Sequence, residues 1–308
     1  MKKIIVLVMC TYVVGCRLLL DVDKLQCEED VQCADQFGAA YVCGKQGVCE
    51  KSGKGNQDAS TDMTADAGVK LEKRFACINE PPVIPAKPKS GKVHLEVQIV
   101  DFLSLAPAAD VLLNACSVRD SMCSSPLFKD IALDAKGFAS LDLPYGFDGF
   151  FEASGGGYVP ALFAINRPQY EDLSLAGPSL LTDSGLQALA ATNQDTLQPG
   201  TGVVVVEIVD CNGDAAEGVS IDIEGLPDLK TFYIDGNLPN LNLTSTRIST
   251  GLSAGMLPRA VGGFTNVAPG FQTVHATLES PQVSYARASI IVRPDTMTFV
   301  RLYPGAAQ

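Results

Sequence analysis

Apolar and polar positions alternate with period two through much of the chain. Val93, Leu95, Val97 and Ile99 are separated by His94, Glu96 and Gln98, and Val219, Ile221 and Ile223 by Ser220 and Asp222. Period two puts successive side chains on opposite faces of a strand, so both segments predict strands with one buried face. The β-branched run Val203 to Val209 predicts another strand and, like Val93 to Val100, ends in an aspartate turn. Asp110 to Ala115 reads as the counterpart of Gly218 to Glu224. A longer echo follows, Gly137-Phe138 through Pro144 and Gly146-Phe147 against Gly263-Phe264 through Pro269-Gly270-Phe271, with further strands at Gly149 to Ala153 and Gln272 to Leu278. Each echo reads as a hairpin, with the glycine before phenylalanine ending a turn and the proline and glycine reversing the chain. Between the copies Pro178 to Asn193 breaks the pattern. Asp183 is placed to cap a short helix with Leu186, Leu189 and Ala190 on one face, and Gly185 weakens it by about 1 kcal/mol.

These glycine–phenylalanine strands and proline–glycine turns resemble the carboxypeptidase regulatory-like, transthyretin-like (prealbumin-type) β-sandwich, over residues 89–165 and again over 200–304. The resemblance implies an all-β protein of two tandem sandwich domains, 89–165 and 200–308, joined by a connector, 166–199, that carries the helix. In their own family such domains accompany peptidases, but an accessory fold does not inherit its neighbour's reaction.

The N-terminus is patterned differently. Twelve apolar or small residues, Ile4 to Gly15, follow Lys2 and Lys3 and stop at Cys16. The run is shorter than the roughly 20 residues that span a bilayer. Val13-Val14-Gly15-Cys16 resembles the lipobox of bacterial lipoproteins, which implies a signal peptide, 1–15, cleaved before a lipid-bearing Cys16. The membrane is then a partner through the lipid, and several acyl chains together make the anchor effectively permanent. Arg17, where aspartate would mark inner-membrane retention, resembles the class sorted to the outer membrane or cell surface.

Cysteine parity agrees with this. Of ten cysteines, loss of Cys10 and lipidation of Cys16 leave eight, an even number. Cys27, Cys33, Cys43 and Cys49 fall within 16–50, a segment too small to fold on burial alone, so disulfides are expected to staple it. It resembles small cysteine-rich modules that follow the lipobox in bacterial surface lipoproteins. No Cys-x2-Cys spacing favours zinc. Its pairing stays open among three connectivities. In the second group Cys116 and Cys123 bracket one loop, and the expected partner of Cys77 is then Cys211. Residues 51–88 read as a linker, flexible through Arg74 and stiffened by Pro81, Pro82, Pro85 and Pro88.

Composition narrows the chemistry. Apolar residues are 46% and charged residues 19% of 308, a globular balance. Without residues 1–15, Lys and Arg fall from 23 to 21 against 35 acidic residues, a net charge of −14, and no basic cluster follows. Nucleic acid is thereby excluded as a partner. The only histidines, His94 and His275, stand in strands, and no nucleophile elbow, His-Glu-x-x-His pair or phosphate loop occurs. Asp210-x-Asn212-x-Asp214 begins like a calcium loop but has Ala215 where glycine and Ile221 where glutamate are required. No cofactor or metal is expected. With no tryptophan, the aromatic candidates for ligand contact are Tyr158, Phe232 and Tyr233. The sequence thus predicts a non-enzymatic, lipid-anchored envelope protein that meets an envelope protein or polysaccharide. The alternatives are a carbohydrate-binding module and an accessory subunit of a surface enzyme or transporter.

Overall fold

The computed structural model describes residues 41–43, 49–51, 71–80, 85–102, 104, 106–236, 238–249 and 258–305. Cys16, Cys27 and Cys33, and with them the lipobox, lie outside these. The chain divides into two units, Met1–Gly68 and Val69–Gln308. In the first, β1 (Tyr41–Cys43) and β2 (Cys49–Lys51) pair antiparallel with Cys43 opposite Cys49.

The second unit is a duplicated β-sandwich. The first copy contains β3 (Lys92–Asp101), β4 (Val111–Ser117), β5 (Phe128–Ala132), β6 (Phe138–Pro144), β7 (Gly149–Gly155), β8 (Ala161–Ala164) and β9 (Leu173–Leu180). The second contains β10 (Gly202–Ile208), β11 (Val219–Ile223), β12 (Thr231–Asp235), β13 (Leu238–Pro239), β14 (Ile248–Ser249), β15 (Arg259–Val267), β16 (Gly270–Glu279), β17 (Gln282–Val292) and β18 (Met297–Leu302). The copies correspond in four pairings and differ in one strand, since β5 pairs β4 whereas β12 pairs β15. β3 lies antiparallel to β6 and parallel to β9, as β10 does to β15 and β18. β7 pairs β4 and β8 just as β16 pairs β11 and β17.

The two copies are fused through a sheet. β8 runs parallel to β18, with Phe163 opposite Phe299, and this joins the strands into one ten-stranded sheet of order β13-β12-β15-β10-β18-β8-β7-β4-β5, with β14 on β15. Two three-stranded sheets, β6-β3-β9 and β11-β16-β17, complete the layers. Alternation along β10 decides how they stack. Val203 and Val205 join Leu113, Phe151, Phe163 and Met297 in a core with Val93, Leu95 and Val97 of β3. Val204, Val206 and Ile208 join a second core with Ile221, Val274 and Ile290. Neighbouring residues of a strand face opposite ways, so the outer sheets cover opposite faces of the shared one.

Several expectations need correcting. The proline–glycine turns do not close hairpins: β6 and β7 belong to different sheets, as do β15 and β16, so each turn carries the chain across the sandwich. Gly137 does end a turn, at φ +79°. Gly263 does not. It lies inside β15, where an added Cβ would stand 2.3 Å from the Val204 carbonyl oxygen and 2.5 Å from the Phe232 ring. Two glycines in the same motif are therefore required for different reasons. Gly263→Ala is expected to cost about 1–3 kcal/mol through overpacking, read as a lower chemical-denaturation midpoint at unchanged m-value.

The expected connector also changes. β9 falls inside 166–199 yet completes the outer sheet of the first copy, and its register on β3 shifts between Gln98 and Val100, opposite the Gly177-Pro178 break. The helix α1 (Asp183–Thr192) follows and buries Leu186, Leu189 and Ala190 as its pattern predicts. Its cap is Thr182, one residue earlier than expected, whose Oγ1 accepts the Gly185 N–H at 3.2 Å. The expected linker is partly folded as well. A 3-10 helix, Lys73–Asn79, buries Phe75 and Ile78 in the second core, and Phe75 meets Tyr285 edge-on at 5.9 Å. Disulfides join Cys77 to Cys211 and Cys116 to Cys123, with Cα separations of 5.9 and 5.4 Å.

Candidate functional site

Tyr158 follows three consecutive glycines, Gly155, Gly156 and Gly157, all at positive φ, +109°, +60° and +77°. Only glycine adopts such a succession without strain. At Gly156 a Cβ would meet the Ala109 carbonyl oxygen at 2.3 Å and the Tyr158 ring at 3.0 Å, so this turn packs directly under the ring. Tyr158 bridges in strand fashion to Thr182, the cap of α1. The ring lines a groove of about 420 Å³ together with the apolar Leu186, Leu197 and Val203 and the polar Asp183, Gln187, Gln198 and Asp295. Those four polar residues are exposed. Burial, and then the charge of Asp101, push the Tyr158 hydroxyl above its ordinary pKa, so it stays a neutral donor. One half-buried aromatic ringed by amides and carboxylates can stack an apolar face and hydrogen-bond hydroxyl groups at once.

The other two aromatic candidates do not belong to a ligand site. Phe232 is 2% and Tyr233 4% exposed, because β12 is an inner strand of the shared sheet and both of its faces are covered. The Tyr233 hydroxyl accepts the Ile221 N–H at 3.0 Å, and burial raises its pKa to about 12. Its polar end is used structurally.

A second, more apolar cleft opens at the seam between the copies. Phe102, Leu173 and Leu175 of the first copy face Val205, Ile234, Val261 and Phe299 across it. Glu207, Arg259 and Arg301 are also in its lining, with Asn166, Gln169, Ser179, Ser249 and Tyr303 as further polar groups. Arg301 Nε donates to Glu207 Oε2 at 2.7 Å, and Arg259 Nε lies 3.8 Å from Glu207 Oε1. One signal in the sequence pointed here: Glu207 is the single charge in an otherwise apolar central strand, and a charge in such a place needs a partner.

Three surface residues copy the hydrogen-bond order of a nucleophilic triad. Ser140 Oγ lies 3.1 Å from His94 Nε2, and Asp142 Oδ1 lies 3.1 Å from His94 Nδ1. The register of β3 against β6 brings them together, pairing His94 with Asp142 and Glu96 with Ser140. The environment is wrong for catalysis. The His94 and Asp142 side chains are 52% and 61% exposed, so water competes at every bond, whereas a working triad holds its aspartate buried beside a preorganised oxyanion site. Neither cleft includes any of the three. They form a cross-strand polar network.

The aspartate turn needs no ion. Asp210 Oδ1 accepts the Asn212 and Asp214 N–H groups at 2.8 and 3.1 Å, so the carboxylate folds its own loop. Among the described residues the one cluster with metal-ligand spacing is Cys116, Cys123 and Glu152, whose cysteines are joined and offer no thiolate.

No protein-family model matches this chain, and no curated protein matches it. Among solved structures it is similar to the TIE protein of Bacillus anthracis, at 12% identity and a TM-score of 0.22 over 70% of this chain and 34% of that one. The chain therefore spans about a third of that protein's length. It is similar to the major pilin subunit BcpA of Bacillus cereus at 10% identity and 0.23, over 65% and 69%. It is also similar to a family 26 carbohydrate-binding module of Eubacterium rectale, solved with maltoheptaose, at 9% and 0.25, over 68% and 93%. Likeness at this level carries no argument about what the chain binds.

Proposed function

We propose that this chain is a lipid-anchored protein of a bacterial outer membrane or cell surface, held through Cys16, that presents its duplicated sandwich for contact with a polysaccharide or protein and performs no catalysis. The observation that carries the reading is the Tyr158 groove, an aromatic ring fixed by a three-glycine turn and surrounded by Asp183, Gln187, Gln198 and Asp295. Its chemistry favours a saccharide: the ring stacks on a sugar face while amides and carboxylates accept and donate to its hydroxyls. Among the described residues no helix is long and apolar enough to cross a membrane, and in this reading attachment comes from the lipid.

Two measurements test it. Cys16→Ser is expected to abolish metabolic labelling by palmitate and to move the protein from the detergent phase to the aqueous phase. On a glycan array, Tyr158→Ala is expected to weaken binding about three- to tenfold, which corresponds to one aromatic contact of about 0.5–1.5 kcal/mol. Binding unchanged in that variant would remove the groove from the proposal, and capture of a hydrolase or transporter with no glycan binding would replace it by the accessory-subunit reading.

A further inference from the structure

The junction that fuses the copies, β8 against β18, has counterparts of both its strands elsewhere in the chain. In the second copy the counterpart of β8 is β17, and in the first the counterpart of β18 is β9. Among the described residues β17 pairs with β16 alone and β9 with β3 alone, so each is the edge of its sheet. Other edges are guarded or occupied. β13 ends in Pro239 and β6 in Pro144, β5 is bulged around Asp130 at φ +54°, and β11 gives its Val219 and Ile221 N–H groups to Thr246 and Tyr233.

The correspondence holds to the residue. The Ile99 carbonyl accepts the Ala108 N–H at 3.1 Å, and the Ile208 carbonyl accepts the Ala216 N–H at 3.1 Å. Counted from these anchors, Leu175 of β9 matches Val300 of β18, because their partners Val97 and Val206 stand two residues before Ile99 and Ile208. Ala288 of β17 matches Phe163 of β8, through Val274 and Ile223 in one copy and Phe151 and Ala115 in the other. Phe163 faces Phe299 in the junction, so the matching pair is Ala288 with Ser174. The backbone agrees. At the junction the Pro160 carbonyl accepts the Met297 N–H at 2.9 Å, and at the matching place on β17 the Tyr285 carbonyl accepts the Gly305 N–H at 3.0 Å. Further along, the Ile291 carbonyl accepts Thr298 Oγ1 at 2.8 Å. Between these two points the alternation of an antiparallel strand turns the N–H and C=O groups of Arg287 and Ser289 to the open side.

Each open edge also borders a cleft. Leu173 and Leu175 of β9 line the seam cleft together with Val205, Val261 and Phe299. Arg287 to Ile291 of β17 line another, of about 140 Å³, together with Phe150 and Leu162. A strand added at either edge enters the cleft there, so it covers apolar surface as well as pairing backbone groups. We propose that copies of this chain join head to tail, β9 of one lying parallel to β17 of the next and repeating between molecules the junction that β18 and β8 make within one. Leu173, Ser174 and Leu175 of one copy then stand opposite Arg287, Ala288 and Ser289 of the next. The two surfaces in contact are different, so every chain that joins leaves one open edge at each end and growth continues. The contact is separate from the Tyr158 groove and does not depend on what that groove binds.

Sedimentation of the whole chain tests this, in mild detergent so that a lipid does not drive association and in salt that screens repulsion between molecules of net charge −12. The average protein mass is expected to rise with concentration past twice that of one chain. Ser174 and Ser289 are exposed, and Ser174→Pro and Ser289→Pro each remove an outward N–H at a sheet edge, where proline is tolerated. Either variant alone is expected to stay monomeric. An equimolar mixture of the two is expected to form dimers and stop, because the intact β9 of one variant meets the intact β17 of the other and both remaining edges are blocked. If a proline variant fails to fold, lysine at the same position, which natural edge strands use against pairing, gives the same comparison. A wild-type chain that stays monomeric to its solubility limit or stops at a dimer, growth of either variant alone, or a mixture that remains monomeric would each overturn the proposal.

Discussion

Replacing both Cys77 and Cys211 by alanine is expected to lower the stability of the second unit by about 3–5 kcal/mol, against about 2 kcal/mol for the pair Cys116 and Cys123. The difference follows from the length of chain each bridge closes. Cys77 and Cys211 are 134 residues apart, and Cys116 and Cys123 only 7. In the chain-entropy description a cross-link removes conformations from the unfolded state in proportion to the logarithm of loop length, about 5 kcal/mol for the long loop and about 2.5 for the short one. The long bridge has a second effect in the native state. It holds the 3-10 helix Lys73–Asn79 against the second copy, where Phe75 and Ile78 fill the core and the Arg74 carbonyl accepts the Cys211 N–H at 3.0 Å. Without it that segment has to order itself at the cost of its own backbone entropy. Urea titration of the two double variants checks the order, and equal losses would show that chain length is not what the bridges act through.

How much of this was legible in the sequence depended on whether the determining contact was local. The alternation of Val93, Leu95, Val97 and Ile99 maps directly onto a strand whose inward side chains are at most 3% exposed, because period two is a property of the strand itself. α1 was legible for the same reason at period 3.6. The pairing of Cys77 with Cys211 was reached by elimination within one group of cysteines. What was not legible arose from pairing between distant segments. The echoed Gly-Phe strands looked like hairpins because a turn is visible locally, while the sheet that each flanking strand joins is not. Phe232 and Tyr233 looked available because nothing near them reveals that β15 lies alongside, with Phe232 opposite Gly263. β9 was hidden by Gly177-Pro178, which reads as a break until the register shift on β3 absorbs it. The seam cleft was hidden most completely, since Glu207, Arg259 and Arg301 become neighbours only when β10 takes β15 on one side and β18 on the other.

Phe163→Ala is expected to cost about 3–5 kcal/mol and to destabilise both copies together, although the residue belongs to the first. Phe163 is 5% exposed, and its ring lies 5.4 Å from that of Phe299 across the junction of β8 with β18. Removing a buried ring loses its transfer free energy and leaves a cavity that a close-packed sheet fills only partly. The cost spreads because the junction is a ladder of backbone pairs, Met297 with Ala161 through Val300 with Ala164, and a strand edge exposed by unfolding of one copy would leave those groups of the other unpaired. Arg293 reinforces the junction from the second copy, with Nη2 donating to the Ser121 carbonyl at 2.7 Å and Nη1 3.4 Å from Glu152. Native-state hydrogen exchange gives the check. The amides of Leu113 in β4 and Val206 in β10 are expected to lose protection by the same free energy, as they would in one cooperative unit. Loss at Leu113 with Val206 unchanged would mean that the two sandwiches, though joined in one sheet, open independently.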